Sequence, residues 1–327
     1  LSELLNTPSM RRAQWSVLVV SLDRGDTLFS RDANRPLIPA SNMKIVTAAA
    51  ALHFLGPRFR YQTFVFKGGP VIDGHLQGDL ILYGTGDPGI SDRFFRGRRS
   101  VFEQLVDQVV GEGITHIDGA VVGDATYFSG PDLGPDWDPL DLNESFAAAA
   151  SSLSFNENVI TLQIIPAELL GSPPRVETIP GNFPLPMNNV AETVAGPPRP
   201  RLWLDRVTPT ALIRMDGEIR QSGPNIWRRL TVPDPALFAA HAFREVLDSR
   251  GIEVRDAERA IHHSTFSRIT GRQSWAPGLI GSEEPRLIAR HASAELIDYL
   301  TVMNQESHNL FAETILKTVA RVSQGEG

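Results

Sequence analysis

Helical patterning occupies the two ends of this chain and strand patterning fills its middle, which points to one domain split by a large insertion. A hairpin is expected from residues 15–22 (WSVLVVSL) and 27–30, joined through Asp23-Arg24-Gly25-Asp26. Pro39-Ala40-Ser41 introduces a helix predicted to run to about Leu55, where Gly56-Pro57 stops it. Strands follow at 61–66, 79–83, 119–123 and 159–165, with a helix near 101–111. Short strands are expected through the Pro-, Gly- and Arg-rich stretch 166–232, then a helix at 235–249 with proline in its first turn. Helices at 293–304 and 310–322 close the chain. At 327 residues it is about twice a typical domain of roughly 150, so two or three folding units are expected, and no repeat period is visible.

Composition excludes several classes. The net charge is −7 with no basic block, which argues against nucleic acid or anionic lipid as a main partner. The absence of cysteine excludes disulfides, thiolate metal sites and cysteine nucleophiles. The longest apolar runs, 15–22 and 45–52, fall far short of the ~20 residues that span a bilayer, and no signal-peptide pattern opens the chain. A soluble mature chain with no transmembrane segment is expected. The eight histidines offer no metal-ligand spacing, and neither H-E-x-x-H nor G-x-S-x-G occurs. No cofactor or metal is implied.

Of 31 basic residues only three are lysine: Lys44, Lys67 and Lys317. Lys44 lies in Ser41-Asn42-Met43-Lys44, a Ser-x-x-Lys pair whose spacing puts both side chains on one helical face. A serine hydroxyl needs a base to become a nucleophile, and a lysine serves as one only where its surroundings lower its pKa. The run MKIVTAAAALHFL from Met43 is apolar on nearly every face, so a buried helix is expected, with Lys44 its only formal charge. A bare Ser-x-x-Lys arises easily by chance; a lysine in a buried Ala-rich helix of an Arg-preferring chain does not.

Ser307-His308-Asn309 supplies a second pair, a hydroxyl able to shuttle a proton and an amide able to hold a substrate amide. Ser154-Phe155-Asn156 matches the same pattern but reads as turn chemistry. Gly84-Thr85-Gly86-Asp87-Pro88-Gly89 formally fits a dinucleotide-binding loop. Pro88 and the polar stretch 91–100 separate it from the next helix, however, and Asp87 would face the phosphates.

At these residues the chain resembles the penicillin-binding proteins and serine β-lactamases, whose set is Ser-x-x-Lys, Ser-x-Asn and a later Lys-Thr-Gly. It is most similar to the class C low-molecular-mass penicillin-binding proteins, the D-Ala-D-Ala carboxypeptidase/endopeptidases of the penicillin-binding protein 4 type. The similarity runs through Pro39 to Lys44, Gly78-Asp79-Leu80, Gly84 to Pro88, Ile117-Asp118-Gly119 to Gly123-Asp124, Asp234-Pro235-Ala236 and Ser307 to Glu313. One departure stands out: no Lys-Thr-Gly is present, and Lys317-Thr318-Val319 falls inside the final helix. A truncated chain, or a remainder present as separate polypeptide, is the expectation that follows.

The resemblance implies an α+β multidomain protein, a serine β-lactamase/transpeptidase-like domain (helices packed on an antiparallel sheet) split by two nested, strand-rich insertion domains. The catalytic domain would comprise 1–61 and 286–327, the first insertion 62–165 and 256–285, and the second 166–255. It implies a serine DD-peptidase acting on D-Ala-D-Ala termini or cross-links of peptidoglycan stem peptides, with β-lactams acylating the same serine. Ser41 would be nucleophile and Lys44 its base, with Ser307 and Asn309 completing the catalytic set and Asp141 and Phe146 meeting the substrate side chain. The five acids between Asp132 and Glu144 also read as a solvated loop. An exported, periplasmic or envelope location is implied, with oligomeric state open. A non-catalytic peptidoglycan-binding protein of the same fold, or a serine β-lactamase or esterase, stands as the alternative.

Overall fold

The computed structural model describes residues 1–196, 201–206, 212–270 and 284–324, so 271–283 of the 256–285 segment assigned to the first insertion lie outside the described residues. The chain falls into two units, Leu1–Ile45 and Val46–Gly327.

The first unit opens with a short helix, α1 (Ser2–Leu5), and the expected hairpin, Val17–Val20 paired antiparallel with Thr27–Arg31 through a bulge after Val19. A two-stranded ribbon buries little, and Leu18, Leu22, Leu28 and Ile38 stand exposed among the described residues. A 3₁₀ turn, Ala40–Asn42, then leads into α2 (Met43–Phe54).

α2 departs from the expectation of a helix buried all round. Met43, Ile45, Val46, Leu52 and Phe54 are exposed, while Ala48 and Ala51 are buried. The alanines join a cluster with Tyr61, with Leu296, Tyr299 and Met303 of α5 (Leu296–Glu306), and with Phe311 and Ile315 of α6 (Asn309–Gln324). Small side chains allow close approach on that side, and among the described residues the packing comes from one side only. An all-round apolar sequence states that a helix can be buried, not that every face has found a partner.

The larger core of the second unit is built on a sheet ordered Arg259–Ile261, Val121–Asp124, Leu80–Gly84, Gln62–Lys67, Arg286–Ala292, parallel across its first three strands and antiparallel beyond. α3 (Ser100–Gly111) and α4 (Pro235–Ser249) supply Phe102, Leu105, Phe238 and Phe243 to the core that also buries Val65, Leu80 and Leu82. The side chain of Asp234 accepts from Leu237 N at 2.9 Å, capping α4 at the proline the sequence placed there. Val159–Ile165 pairs antiparallel with both Arg175–Ile179 and Ile226–Thr231 and buries Ile160, Leu162 and Ile164, so Val159, Thr161 and Gln163 share its other face.

The glycines of the 84–89 loop serve packing. Gly86 sits at φ +101, and a Cβ on Gly89 would come within 2.6 Å of the Tyr299 hydroxyl. α3 opens only at Ser100, too late for a helix N-terminus to meet a phosphate at this loop.

Asp87 is the buried anchor of that loop. Its Oδ1 accepts from the Tyr299 hydroxyl at 2.6 Å and from Gly89 N at 2.8 Å, while Oδ2 has no partner among the described residues. Burial raises the carboxyl to about 6, against the lowering effect of those two hydrogen bonds. A carboxyl raised in the native state stabilises the fold when protonated and weakens it as pH climbs from its ordinary value near 3.8 through 6. Asp87→Asn keeps an acceptor for both donors and removes the charge. Between about pH 3.5 and pH 7.5 the stability difference is expected to move in the variant's favour by about 3 kcal/mol, read from urea midpoints. A pH-independent difference would refute the assignment.

Candidate functional site

The first candidate pair is formed locally. Ala40 takes a left-handed φ of 46°, an uncommon conformation for a residue with a Cβ, and Ser41 follows it in the turn that enters α2. Ser41 is exposed, Lys44 is buried, and Lys44 Nζ donates to Ser41 Oγ at 3.1 Å. The hydroxyl is thus open to a substrate while the amine that could take its proton is withdrawn from water. That division of burial is what a serine–lysine pair needs to act as nucleophile and base.

The second pair is held at the α5–α6 junction. Ser307 ends α5 in the left-handed region at φ 56, and His308 N donates to Met303 O at 3.1 Å, closing the turn. Asn309 begins α6, and its Nδ2 donates to the carbonyl of Phe146 at 3.1 Å. Phe146 lies in a 3₁₀ turn, Ser145–Ala147, with its ring half exposed. Ser307, Asn309 and Phe146 line one cavity of about 230 Å³ with Arg93, Glu157, Arg229 and His308. Ser41 and Lys44 belong to the first unit, and these residues to the second.

Asp141 is not part of that cavity lining. It closes a separate 3₁₀ turn, Pro139–Asp141, which Asp138 caps by accepting from Leu140 N at 2.9 Å. The loop is not simply a solvated acidic run either. Lys317 of α6 donates to the carbonyls of Pro131 and Ala150 at 2.8 and 2.9 Å and lies 3.7 Å from Asp132. This lysine ties the acidic loop to α6, and burial pulls its pKa down. The Lys-Thr in the final helix therefore has a packing role of its own.

Glu157 organises the cavity and was not singled out from sequence. It sits within Asn156-Glu157-Asn158, where three successive residues have positive φ, from 51° to 56°. Asparagine tolerates this region; glutamate has no such preference. The Glu157 carboxylate accepts from Arg93 Nε at 2.7 Å and pairs with His308 Nε2 at 3.1 Å, while Arg93 also reaches Glu306 at 2.7 Å. His308 stacks on Phe311 with centroids 4.2 Å apart. The only sequence signal for this arrangement was the second Ser-x-Asn. It is indeed turn chemistry, with Asn158 Oδ1 accepting from Phe155 N and Asn156 Nδ2 donating to Val159 O, but it is also where the first motif is anchored.

With this geometry in view, comparisons with known proteins agree with one another. The chain matches the D-Ala-D-Ala carboxypeptidase 3 (S13) family over residues 1–327. It is 29% identical over 334 aligned residues to a D-alanyl-D-alanine carboxypeptidase of Actinomadura sp. (strain R39), covering all of this chain and 58% of that protein. The crystal structure of penicillin binding protein 4 (dacB) from Haemophilus influenzae superposes with a TM-score of 0.74 at 21% identity, over 95% of this chain and 63% of that one. A structure of the same protein complexed with a β-lactam gives a TM-score of 0.66 at 19% identity, over 94% of this chain and 61% of that one. The fold is thus the mixed α+β, several-sheeted fold of penicillin binding protein 4, and the chain spans about three-fifths of the relatives it matches.

Burial alone would raise the Glu157 carboxyl; the hydrogen bonds and charges of His308 and Arg93 outweigh it and hold the group at about 2. A depressed carboxyl contributes stability that is present above its ordinary value of 4.5 and is lost as pH falls toward 2. Glu157→Gln is expected to lower stability by about 2–3 kcal/mol at pH 7, with most of that gap gone by about pH 3. Denaturant titrations of both proteins across that range check it.

Proposed function

Because the chain belongs to the D-Ala-D-Ala carboxypeptidase 3 (S13) family across its length, we propose that it acts as a serine DD-peptidase on peptidoglycan stem peptides. The observation that carries this reading is the 3.1 Å hydrogen bond between buried Lys44 and exposed Ser41 at the start of α2. Ser41 Oγ attacks the carbonyl carbon of the penultimate D-Ala and its proton passes to Lys44 Nζ. The oxyanion that forms is stabilised by backbone N–H groups, that of Ser41 among them. The C–N bond then breaks, the departing D-Ala amine takes a proton by way of Ser307, and a water molecule hydrolyses the ester and frees Ser41.

Asn309 is assigned to the substrate amide, and Phe146, whose carbonyl Asn309 holds, to the substrate side chain. Asp141 keeps a proposed role toward a free amine on that side chain. The three-part domain division and an exported location belong to the same reading. Among the described residues no helix is long and apolar enough to cross a membrane. A β-lactam enters the same chemistry: its ring amide opens on Ser41 and the acyl group stays attached.

Labelling with a fluorescent penicillin tests the assignment. Ser41→Ala is expected to abolish the label, and Lys44→Ala to slow acylation by at least about 100-fold, the range of general-base catalysis. Equal labelling of Ser41→Ala and the parent would remove Ser41 as nucleophile.

A further inference from the structure

A second cavity of about 420 Å³ adjoins the one that holds Ser307 and Asn309, and the two share Arg93, Glu157, Val159 and Arg229. The far end of this second cavity is lined by Ser91, Asp92 and Arg98. Its floor is the outward face of Val159–Ile165. In the antiparallel register Arg229 of Ile226–Thr231 stands opposite Thr161, so Val159, Thr161 and Arg229 project to the same side.

The charges along this groove are unequally committed. Arg93 is held between Glu157 and Glu306, and Arg98 pairs with Asp92 at 3.1 Å. Glu157 is already engaged by Arg93 and His308. Arg229 is exposed at the seam of the two cavities, and its side chain makes no hydrogen bond or ion pair with a protein group among the described residues. The neighbouring acids are taken, so its guanidinium offers a planar pair of donors to a group that is not part of the protein.

We infer that Arg229 is a specificity residue that binds a carboxylate on the body of the peptide substrate, beyond its D-Ala-D-Ala end, as the peptide runs along this groove. The inference rests on the peptidase reading for the identity of the ligand as a peptide. It adds a preference that the Ser-x-x-Lys and Ser-x-Asn motifs do not contain.

The test uses equilibrium binding to the Ser41→Ala protein, so that turnover plays no part. Two peptides ending in D-Ala-D-Ala are compared, identical except for glutamate or glutamine at the third or fourth position from the C-terminus. The glutamate peptide is expected to bind about 10-fold more tightly, as for one well-formed charge-assisted pair. Added Arg229→Ala is expected to erase that preference, and Arg229→Lys to retain part of it. Equal binding of the two peptides, an unchanged preference in Arg229→Ala, or no binding of either would overturn the inference. Penicillin labelling of the parent protein reports on Ser41 separately, so failure of the peptidase reading is distinguished from failure of this one.

Discussion

A single half-buried carboxylate gathers most of the second unit's candidate site. Glu157 takes Arg93 on one side and His308 on the other, and Arg93 continues to Glu306 at the end of α5. Three segments distant in sequence are thereby joined: the loop after Leu80–Gly84, the left-handed turn before Val159–Ile165, and the α5–α6 junction. Removing a charge from such a cluster leaves partners buried without compensation, which is why the group matters more than an exposed ion pair would. Ser307 in its left-handed conformation, and Asn309 one residue beyond His308, inherit their positions from this clamp.

The same junction is secured from its opposite end. Tyr299, one face of α5, donates to Asp87 in the glycine-rich loop, and its ring packs with Tyr61, Phe94 and Phe311. Burial raises Asp87 and the ion pairs hold Glu157 down, so two carboxyls near one helix titrate in opposite senses. Neither belongs to the serine–lysine chemistry. Both hold the backbone that presents Ser307 and Asn309.

Much of this was legible in the residues. The helix from Pro235 to Ser249 matches its expected limits because proline, an aspartate cap and a terminal glycine mark both ends. Val159–Ile165 matches because alternation and β-branched residues agree. Ser41 and Lys44 meet because their contact is local, three residues apart on one face. Glu157 and Arg93 escaped notice because their meaning lies in pairing across 64 residues, and a glutamate in a polar turn or an arginine in a polar stretch carries no local mark. Lys317 lies in a helix pattern and so marks no third motif, but its attachment to the Pro131 and Ala150 carbonyls depends on which face of α6 meets the acidic loop. The all-round burial expected of α2 failed for a related reason: apolar composition is a property of the helix, whereas cover is supplied by its neighbours.

The sequence alone determined the chemistry available to this protein. It set one serine a helical turn from the lysine of an Ala-rich helix, a Ser-x-Asn between two late helices, and no thiol anywhere, because local spacing and residue type are complete in the chain itself. The tertiary structure decided which charges are spent and which remain. Arg93 and Arg98 are equivalent to Arg229 in the sequence, yet the fold neutralises the first two and leaves the third facing a cavity. That difference is a matter of distance between side chains brought together by non-local packing, and distance of that kind enters only when the chain has folded.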